Sequence, residues 1–161
     1  MKPPYPTETG CCPRFKPEPW DEKELHWENK LFLKDHVRCL FYIPLNFGQV
    51  MRRTTEQIAR ADAFTPEPPV ALSDHTSRWN MDLYLEVTKE VPGAENVRLS
   101  GSYLTKVFEG PFRDTPKWCR AMAEWVRSKG KAIKRQFMYY TTCPRCAKHY
   151  GKNYVVIVAE I

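Results

Sequence analysis

Hydrophobic and polar residues alternate in two segments of this chain, and both segments end in the same pattern. Residues 83–87 read Leu-Tyr-Leu-Glu-Val, and residues 157–161 read Ile-Val-Ala-Glu-Ile. On a strand, such alternation places the aliphatic side chains on one face and the glutamate on the other. Upstream of each segment, the pattern predicts an apolar strand, an amphipathic helix and another strand. The sequence therefore predicts a repeated βαββ unit.

The two predicted halves set the expected fold class. The first half covers residues 37–88, and its helix begins after Asn46, which is a good N-cap residue. The second half covers residues 97–161, and its helix begins at Thr115 with Pro116 in the first turn. We expect an α+β fold in which an antiparallel sheet has helices on one face and a ligand groove lies between the repeats.

The N-terminal residues differ from the repeat in composition. Prolines are concentrated in the first part of the chain, where they disfavour both a helix and an inner strand. We therefore predict two parts: a proline-rich arm over residues 1–36 that packs on the domain, and a domain over residues 37–161.

Composition narrows the class of protein. The chain has 161 residues, of which 42% are hydrophobic and 27% are charged, as in an ordinary globular domain. No apolar run approaches the ~20 residues that a membrane-spanning helix needs, and the N-terminus lacks the apolar core of a signal peptide. We therefore expect a cytoplasmic protein with no membrane partner.

The net charge of +6 raises the question of nucleic acid binding. Most basic residues are scattered along the chain. One group of basic residues follows a predicted helix, and the C-terminal end of a helix favours cations. This group consists of Lys129, Lys131, Lys134 and Arg135. No zinc-finger spacing or helix-turn-helix pattern accompanies this group. The sequence therefore disfavours a nucleic acid partner.

One segment resembles a known family. Residues 103–112 read Tyr-Leu-Thr-Lys-Val-Phe-Glu-Gly-Pro-Phe and form a predicted strand that ends in a Gly-Pro-aromatic turn. Together with the repeat, this segment resembles the GyrI-like small-molecule-binding domain, the effector-binding module of multidrug-responsive bacterial regulators. The resemblance covers residues 37–161 and implies a free-standing member. It implies a ligand between the repeats, among aromatic residues and facing an acidic one. Some free-standing members are hydrolases of electrophilic molecules, and others bind partner proteins.

The glutamates of the two alternating segments are candidate site residues. Glu86 and Glu160 lie on the face opposite the aliphatic residues, so we expect both to face the groove. A carboxylate that is partly desolvated among aromatic rings can pair with a cation or act as a general base. The alternative is a solvent-facing strand residue without a function.

Aromatic residues make up 13% of the chain, and several are predicted on strands or beside the groove. Rings with a few hydroxyl groups suit a small-molecule pocket, although they also fill ordinary β surfaces. We expect six residues to bind the ligand, including the two glutamates: Trp79, Tyr84, Glu86, Tyr103, Tyr139 and Glu160.

Four of the six cysteines lie in segments without a regular pattern. Cys143 and Cys146 form a Cys-x-x-Cys pair, and Cys11 and Cys12 are adjacent in the arm. In a cytoplasmic protein, such a pair more often binds a metal or undergoes redox chemistry than forms a structural disulfide. The four thiols, with His149 as an alternative ligand, could form a tetrahedral zinc site, and free thiols are the alternative.

These observations favour a stand-alone domain that binds a small aromatic or cationic molecule. The alternative is a hydrolase of electrophilic small molecules, in which Glu86 or Glu160 is the catalytic residue that activates water. A further alternative is a protein-binding module. The sequence has no nucleophile elbow, phosphate loop or His-Glu-x-x-His motif, so it leaves open whether the protein is an enzyme.

Overall fold

The computed structural model describes residues 4–161, which form two compact units. Unit 1 contains the described residues up to Pro6 together with Glu28–Ser100, and unit 2 contains Thr7–Trp27 and Gly101–Ile161. Residues 4–161 fold into seven strands, three α-helices and one 3-10 turn. Their bounds are β1 Lys23–Leu40, β2 Ile43–Pro44, α1 Phe47–Arg60, β3 Ala71–Ser77, β4 Asn80–Glu86, β5 Glu95–Glu109, the 3-10 turn Phe112–Asp114, α2 Thr115–Ser128, β6 Arg135–Tyr140, α3 Pro144–Tyr150 and β7 Tyr154–Glu160.

In unit 1, antiparallel strands follow one another in the order β2, β1, β4, β3. The register pairs Leu33 with Leu85 and Val37 with Met81, and each of these four side chains is at most 4% exposed. The positions that alternate with these pairs include the polar pair of His36 and Asp82, which therefore lies on the other face of this sheet.

Unit 2 packs helix α2 against one face of an antiparallel sheet with the order β5, β7, β6. Trp118, Met122 and Val126 recur at a spacing of four residues on one stripe of α2 and are buried. They form one cluster with the strand residues Leu104, Met138, Val155, Ile157 and Ala159. Complete burial of one such side chain contributes ~1.5–3 kcal/mol. Because strand side chains alternate between faces, Tyr103 and Glu160 lie on the face that α2 does not cover.

The predicted helices after residues 46 and 115 are confirmed. Helix α2 begins at Thr115, as predicted, and α1 begins one residue after Asn46. The Asn46 side chain does not cap α1; its Oδ1 instead accepts the backbone N–H of Arg38 at 2.8 Å. None of the helices in the described part of the chain has both the length and the apolar character that crossing a membrane requires.

Helix α3 lies where the sequence analysis expected an irregular loop. Pro144 occupies the first turn, where its missing N–H has no partner in a helix, and Gly151 ends the helix with φ 72°. These two residues are a sufficient local signal for a short helix.

The expected α+β fold class is wrong. It comprised two βαββ repeats, with helices on one face of the sheet and a ligand groove between the repeats. The described residues form mainly antiparallel β structure: β1 alone runs for 18 residues and β5 for 15. The first half was predicted to begin with a strand at residue 37, whereas β1 begins at Lys23, ends at Leu40 and turns back into β2. Charged residues on the exposed face of β1 weakened its apolar alternation and concealed its length.

Candidate active site and metal centre

Three polar side chains form a row across the sheet of unit 2. Tyr103 on β5 lies directly opposite Glu160 on β7, and Arg135 on β6 lies opposite Glu160 from the other side. Directly opposed residues of antiparallel strands share a face, with Cβ atoms ~4.5–5.5 Å apart. The row therefore places a phenol, a carboxylate and a guanidinium beside one another, on the face opposite α2.

Tyr103 is suited to donate a hydrogen bond. Its side chain is 1% exposed, and the indole ring of Trp27 packs against it with 4.5 Å between ring centroids. Burial raises the pKa of Tyr103, the negative charge of Glu160 raises it further, and Arg135 lowers it in part. The phenol therefore keeps its proton at neutral pH and remains a hydrogen-bond donor.

Glu160 is partly exposed and has a glycine on one flank. A Cβ atom added to Gly101 would lie 3.8 Å from the Oε1 atom of Glu160, and the φ of Gly101 is +126°. Residues with a side chain rarely adopt this backbone conformation. The glycine therefore leaves that side of the carboxylate without a covering side chain.

Aromatic rings continue the same face of the sheet. Tyr139 lies four residues after Arg135 on β6, so both side chains point to one face. The ring centroid of Tyr139 is 6.0 Å from that of Phe15 and 5.2 Å from that of Trp20, both in the N-terminal arm. The arm thereby contributes rings to the face that carries the row.

A cavity of about 260 Å³ opens in unit 2 beside Phe15. Its lining residues are Arg14, Phe15, Thr141, Thr142, Tyr150, Lys152 and Tyr154. Ligand pockets usually measure ~300–1,000 Å³, and neither Tyr103 nor Glu160 lines this cavity. The cavity and the row are therefore separate features of unit 2.

Glu86 in unit 1 has a different environment. Its Oε1 atom accepts a hydrogen bond from the Lys30 Nζ at 2.6 Å, and its Oε2 atom accepts one from the backbone N–H of Val70 at 2.9 Å. The Lys30 and Glu86 side chains are only 25% and 21% exposed. Both carboxylate oxygens are thus engaged by donors of the same unit, as in a structural ion pair.

The remaining expected ligand-binding residues are spread over unit 1. Tyr84 is buried on β4, and its ring meets that of Phe32 edge-on, with centroids 6.4 Å apart. Trp79 lies in the turn between β3 and β4, where it is 52% exposed and packs against Phe41. Of the six residues expected to bind ligand, the structure brings Tyr103 and Glu160 into one row and places Tyr139 on the same face.

Arg135 was not among the predicted site residues, because it belongs in the sequence to the basic group that follows the second helix. In the structure, Arg135 begins β6, and its guanidinium lies 4.6 Å from the ring centroid of Phe137. The signal was present, because Arg135, Phe137 and Tyr139 alternate with the residues between them as on a strand.

A second polar group lies on β1 and β4. The His36 Nδ1 is 2.7 Å from the Oδ1 of Asp82, the Asn80 Nδ2 donates to the same oxygen at 2.9 Å, and the Lys34 Nζ lies 3.5 Å from Oδ2. Burial favours the neutral form of Asp82, but the hydrogen bonds from Asn80 and His36 and the charge of Lys34 outweigh it and lower its pKa. Asp82 is therefore an ionised carboxylate that joins two strands.

Four cysteines converge in unit 2. The Sγ atoms of Cys11, Cys12, Cys143 and Cys146 all lie within 4.8 Å of one another. The Cys11 Sγ is 3.6 Å from that of Cys12 and 4.0 Å from that of Cys143. Zinc–sulfur bonds of ~2.3 Å in a regular tetrahedron separate the sulfur atoms by about 3.8 Å. The four cysteines therefore have both the spacing and the donor set of a metal site.

Helix α3 and the arm position these thiols. Cys143 is the N-cap of α3 and Cys146 lies in its first turn, while the Cys143 backbone N–H donates to the Cys12 Sγ at 3.4 Å. The Thr9 Oγ1 lies 3.2 Å from the Cys146 Sγ. Burial opposes ionisation of Cys146, but hydrogen bonds from Thr9 and the Cys12 backbone outweigh it and lower its pKa to about 6. The thiolate is the form that binds metals.

Further contacts hold the arm to α3. The Tyr150 hydroxyl donates to the Cys12 carbonyl at 2.6 Å, and the Arg14 guanidinium lies over the Tyr150 ring at 4.6 Å. His149 packs against Tyr150, with ring centroids 5.4 Å apart, and is not a member of the four-cysteine group. The expected alternative ligand therefore lies outside that group.

The sequence profile of one family, described as bacterial hydrolase, matches residues 4–161. Because the match spans almost the whole chain, this protein belongs to that bacterial hydrolase family. The resemblance to the GyrI-like domain and to effector-binding modules is therefore wrong. It rested on a repeat that the fold does not support and on the Gly-Pro-aromatic turn, a short pattern that many strand–helix junctions can share. The expected hydrolase alternative agrees with the family better than ligand binding alone.

Solved structures share the fold at low sequence identity. An uncharacterized conserved protein from Listeria innocua is 15% identical, with a TM-score of 0.59 over 86% of this chain and 92% of that chain. Two hydrolases from the same organism are each 12% identical, with TM-scores of 0.60 and 0.58 over 88% and 87% of this chain and 92% of each of theirs. Among curated proteins, none matches this chain. The structural similarities establish the fold.

Proposed function

We propose that this member of the bacterial hydrolase family hydrolyses a small electrophilic molecule, with Glu160 as the general base and Tyr103 as the proton donor. The observation that carries the proposal is the row of Tyr103, Glu160 and Arg135 on one face of the sheet in unit 2. The family supports the class of reaction, and the row supports the choice of residues.

Each residue of the row has one role. Glu160 accepts a proton from a water molecule while the water oxygen attacks the electrophilic carbon of the substrate. As the bond between that carbon and the leaving atom breaks, Tyr103 donates its phenolic proton to the leaving atom. Proton transfer from Glu160 to Tyr103 through water then restores both side chains. Arg135 balances the charge of the carboxylate and keeps it beside Tyr103.

The aromatic residues on this face support substrate binding. Trp27 packs against Tyr103, and Trp20 packs against Tyr139. Contacts between aromatic rings contribute ~0.5–1.5 kcal/mol each beyond the burial of their area. An aromatic or apolar electrophile is therefore the substrate class that fits best, and the guanidinium of Arg135 disfavours a cationic one.

Hydrolysis is tested with a panel of aromatic esters and aromatic epoxides in water enriched in ¹⁸O. We expect one labelled oxygen in the product and loss of turnover in Glu160→Gln. Tyr103→Phe is expected to lower kcat more than it raises KM, because the proton is transferred in the transition state. Equal rates for the parent and both variants, on a substrate that the parent hydrolyses, contradict this assignment of residues.

We further propose that the four cysteines hold a structural zinc ion. Four thiolates complete a tetrahedral shell and leave no position for water or substrate, which distinguishes a structural from a catalytic zinc site. When bound, the ion would supply a cross-link between the arm and α3. Such a site needs reduced thiols, so it is compatible with the expected cytoplasmic location.

The zinc content of protein purified without a chelator tests this site. We expect one zinc ion per chain in the parent and in Cys119→Ser, and loss of zinc in Cys143→Ser. Cys119 is a matched control because it lies on α2, outside the four-cysteine group, where the Gln136 amide donates to it at 3.4 Å. A parent that binds no zinc after reconstitution, or a Cys143→Ser variant that keeps it, excludes the site.

A further inference from the structure

Seven large apolar side chains of unit 1 are exposed, and they come from two neighbouring turns and the start of α1. These residues, here called the apolar tip, are Leu40, Phe41, Tyr42, Ile43, Leu45, Phe47 and Trp79. Phe41 is 59% exposed, Ile43 66% and Leu45 64%. The rings of Phe41 and Trp79 pack with 5.1 Å between centroids and so join the two turns. An exposed apolar surface of this kind marks an interaction site.

The backbone at the apolar tip is strained. Leu40 pairs with Ile43, so Phe41 and Tyr42 form a two-residue hairpin loop. Both loop residues have positive φ values, 48° and 69°, a combination that favours asparagine and glycine. Bulky side chains are rare in this region because they clash with the backbone. The loop thus exposes two aromatic side chains at positions where smaller polar residues would make the fold more stable. Backbone strain of this kind is typical of functional sites.

Backbone hydrogen bonds hold the apolar tip in one conformation. The Tyr42 N–H donates to the Arg78 carbonyl at 3.0 Å, and the Cys39 N–H donates to the Trp79 carbonyl at 2.8 Å. These bonds tie the hairpin to the turn between β3 and β4. The apolar tip is therefore a preformed surface, so binding a partner does not require it to become ordered first.

Basic residues surround the apolar tip. Arg38, Arg52 and Arg78 are exposed, and residues 36–55 include no aspartate or glutamate. The Arg78 guanidinium lies 5.9 Å from the ring centroid of Phe41. An apolar centre with a cationic rim is complementary to a partner that has an apolar interior and an anionic surface.

We propose that the apolar tip docks this protein on a lipid bilayer with anionic headgroups. Phe41 and Ile43 enter the interface, Trp79 lies at the headgroup level that indole rings prefer, and the arginines contact the lipid phosphates. A second copy of the chain is a poorer occupant, because a two-fold contact through this surface would bring the arginines of both copies together. A peripheral contact needs no spanning helix, so this proposal replaces the sequence-based expectation of no membrane partner.

Vesicle flotation tests the proposal. We expect the full chain to float with vesicles of phosphatidylcholine mixed with phosphatidylglycerol. It should bind these vesicles on the order of a hundredfold more tightly than vesicles of phosphatidylcholine alone, because each of three arginines raises the affinity roughly fivefold. Phe41→Asn and Trp79→Ser should lose flotation, and asparagine tolerates the positive φ at that position. Phe112→Ser should float like the parent, because Phe112 is an exposed aromatic residue of unit 2, 43% exposed.

Three results overturn the proposal. The first is a parent that does not float with the mixed vesicles at low salt. The second is flotation of Phe41→Asn, Trp79→Ser and Arg78→Gln that equals the parent, with folding checked by circular dichroism. The third combines two observations: the parent does not bind vesicles, and light scattering shows it as a dimer that the Phe41→Asn substitution dissociates. This result would identify a second copy of the chain as the occupant of the apolar tip. If Phe41→Asn does not fold, the other two variants test the same surface.

Discussion

Two glutamates that follow the same alternating pattern have contrasting surroundings in the two units. Glu86 in unit 1 accepts hydrogen bonds from the Lys30 ammonium and the Val70 N–H. Glu160 in unit 2 lies between a buried phenol and an arginine on the neighbouring strands. A carboxylate whose oxygens both accept from fixed donors stabilises its unit. We propose that the one beside a protonated phenol exchanges protons with a substrate.

The largest expected effect separates the two glutamates by activity. Glu160→Gln should lower kcat by ~10²–10⁴-fold, the usual contribution of a general base, because an amide cannot accept the proton from water. Glu86→Gln is the matched control and should keep kcat near that of the parent. The measurement is steady-state kinetics on a substrate found in the hydrolysis screen. If Glu86→Gln loses activity and Glu160→Gln keeps it, the roles of the two units are reversed.

Zinc should stabilise unit 2 and leave unit 1 unchanged. Removal of the ion should lower the free energy of unfolding by about 4 kcal/mol relative to protein at a free zinc concentration a thousand times the Kd. Hydrogen exchange should become faster in Thr9, Cys12 and the first turn of α3. Exchange in β4 should not change. Uniform acceleration in both units, or none at all after chelation, contradicts a local cross-link.

The ion pair of Glu86 should contribute to stability without affecting catalysis. Lys30→Met should lower the free energy of unfolding by ~1.5–3 kcal/mol, because it leaves a largely buried carboxylate with one donor fewer. Lys106→Met is the control, since Lys106 also lies 2.6 Å from a glutamate, Glu22, but that glutamate is 56% exposed. Chemical denaturation should show the smaller loss for the control. Equal losses of unfolding free energy in the two variants would show that the Lys30–Glu86 pair stabilises the fold no more than an exposed pair does.

The smallest effect concerns the pH dependence of unit 1. Because the folded pKa of Asp82 lies below its ordinary value of 3.8, its ionised form stabilises the fold above that pH, and this contribution is lost as the pH falls through the folded pKa. Asp82→Asn should therefore melt at a lower temperature than the parent at pH 6. The difference should shrink below pH ~4. A difference that stays constant from pH 6 to pH 3 excludes this linkage.

Local features of the fold were predictable because neighbouring residues encode them. The bounds of α2 follow from Thr115, Pro116 and a stripe of apolar residues four apart. Alternation correctly put Tyr103 on a strand and Glu160 on the face opposite Ile157 and Ala159 of β7. The extent of β1 was not predictable from alternation, because its exposed charged residues carry no signal of which strand it pairs with.

Contacts between residues far apart in the chain could not be predicted from the sequence, with one partial exception. The Cys-x-x-Cys pair and the two adjacent cysteines suggested a common site, yet Cys11 and Cys143 are 132 residues apart and only folding brings them within 4.0 Å. The sequence alone could not tell Glu86 from Glu160, since Lys30 lies 56 residues before Glu86 and Arg135 reaches Glu160 only through the pairing of β6 with β7.

The sequence by itself determined which residues share a strand face or a helix stripe, because side-chain direction repeats with the period of the backbone. It thereby determined that each alternating segment presents one carboxylate. Only the tertiary structure decided which carboxylate is neutralised by Lys30 and which stands beside Tyr103. The physical reason is that strand register is set by packing and hydrogen bonding over the whole sheet, and the charges that meet across strands follow from that register.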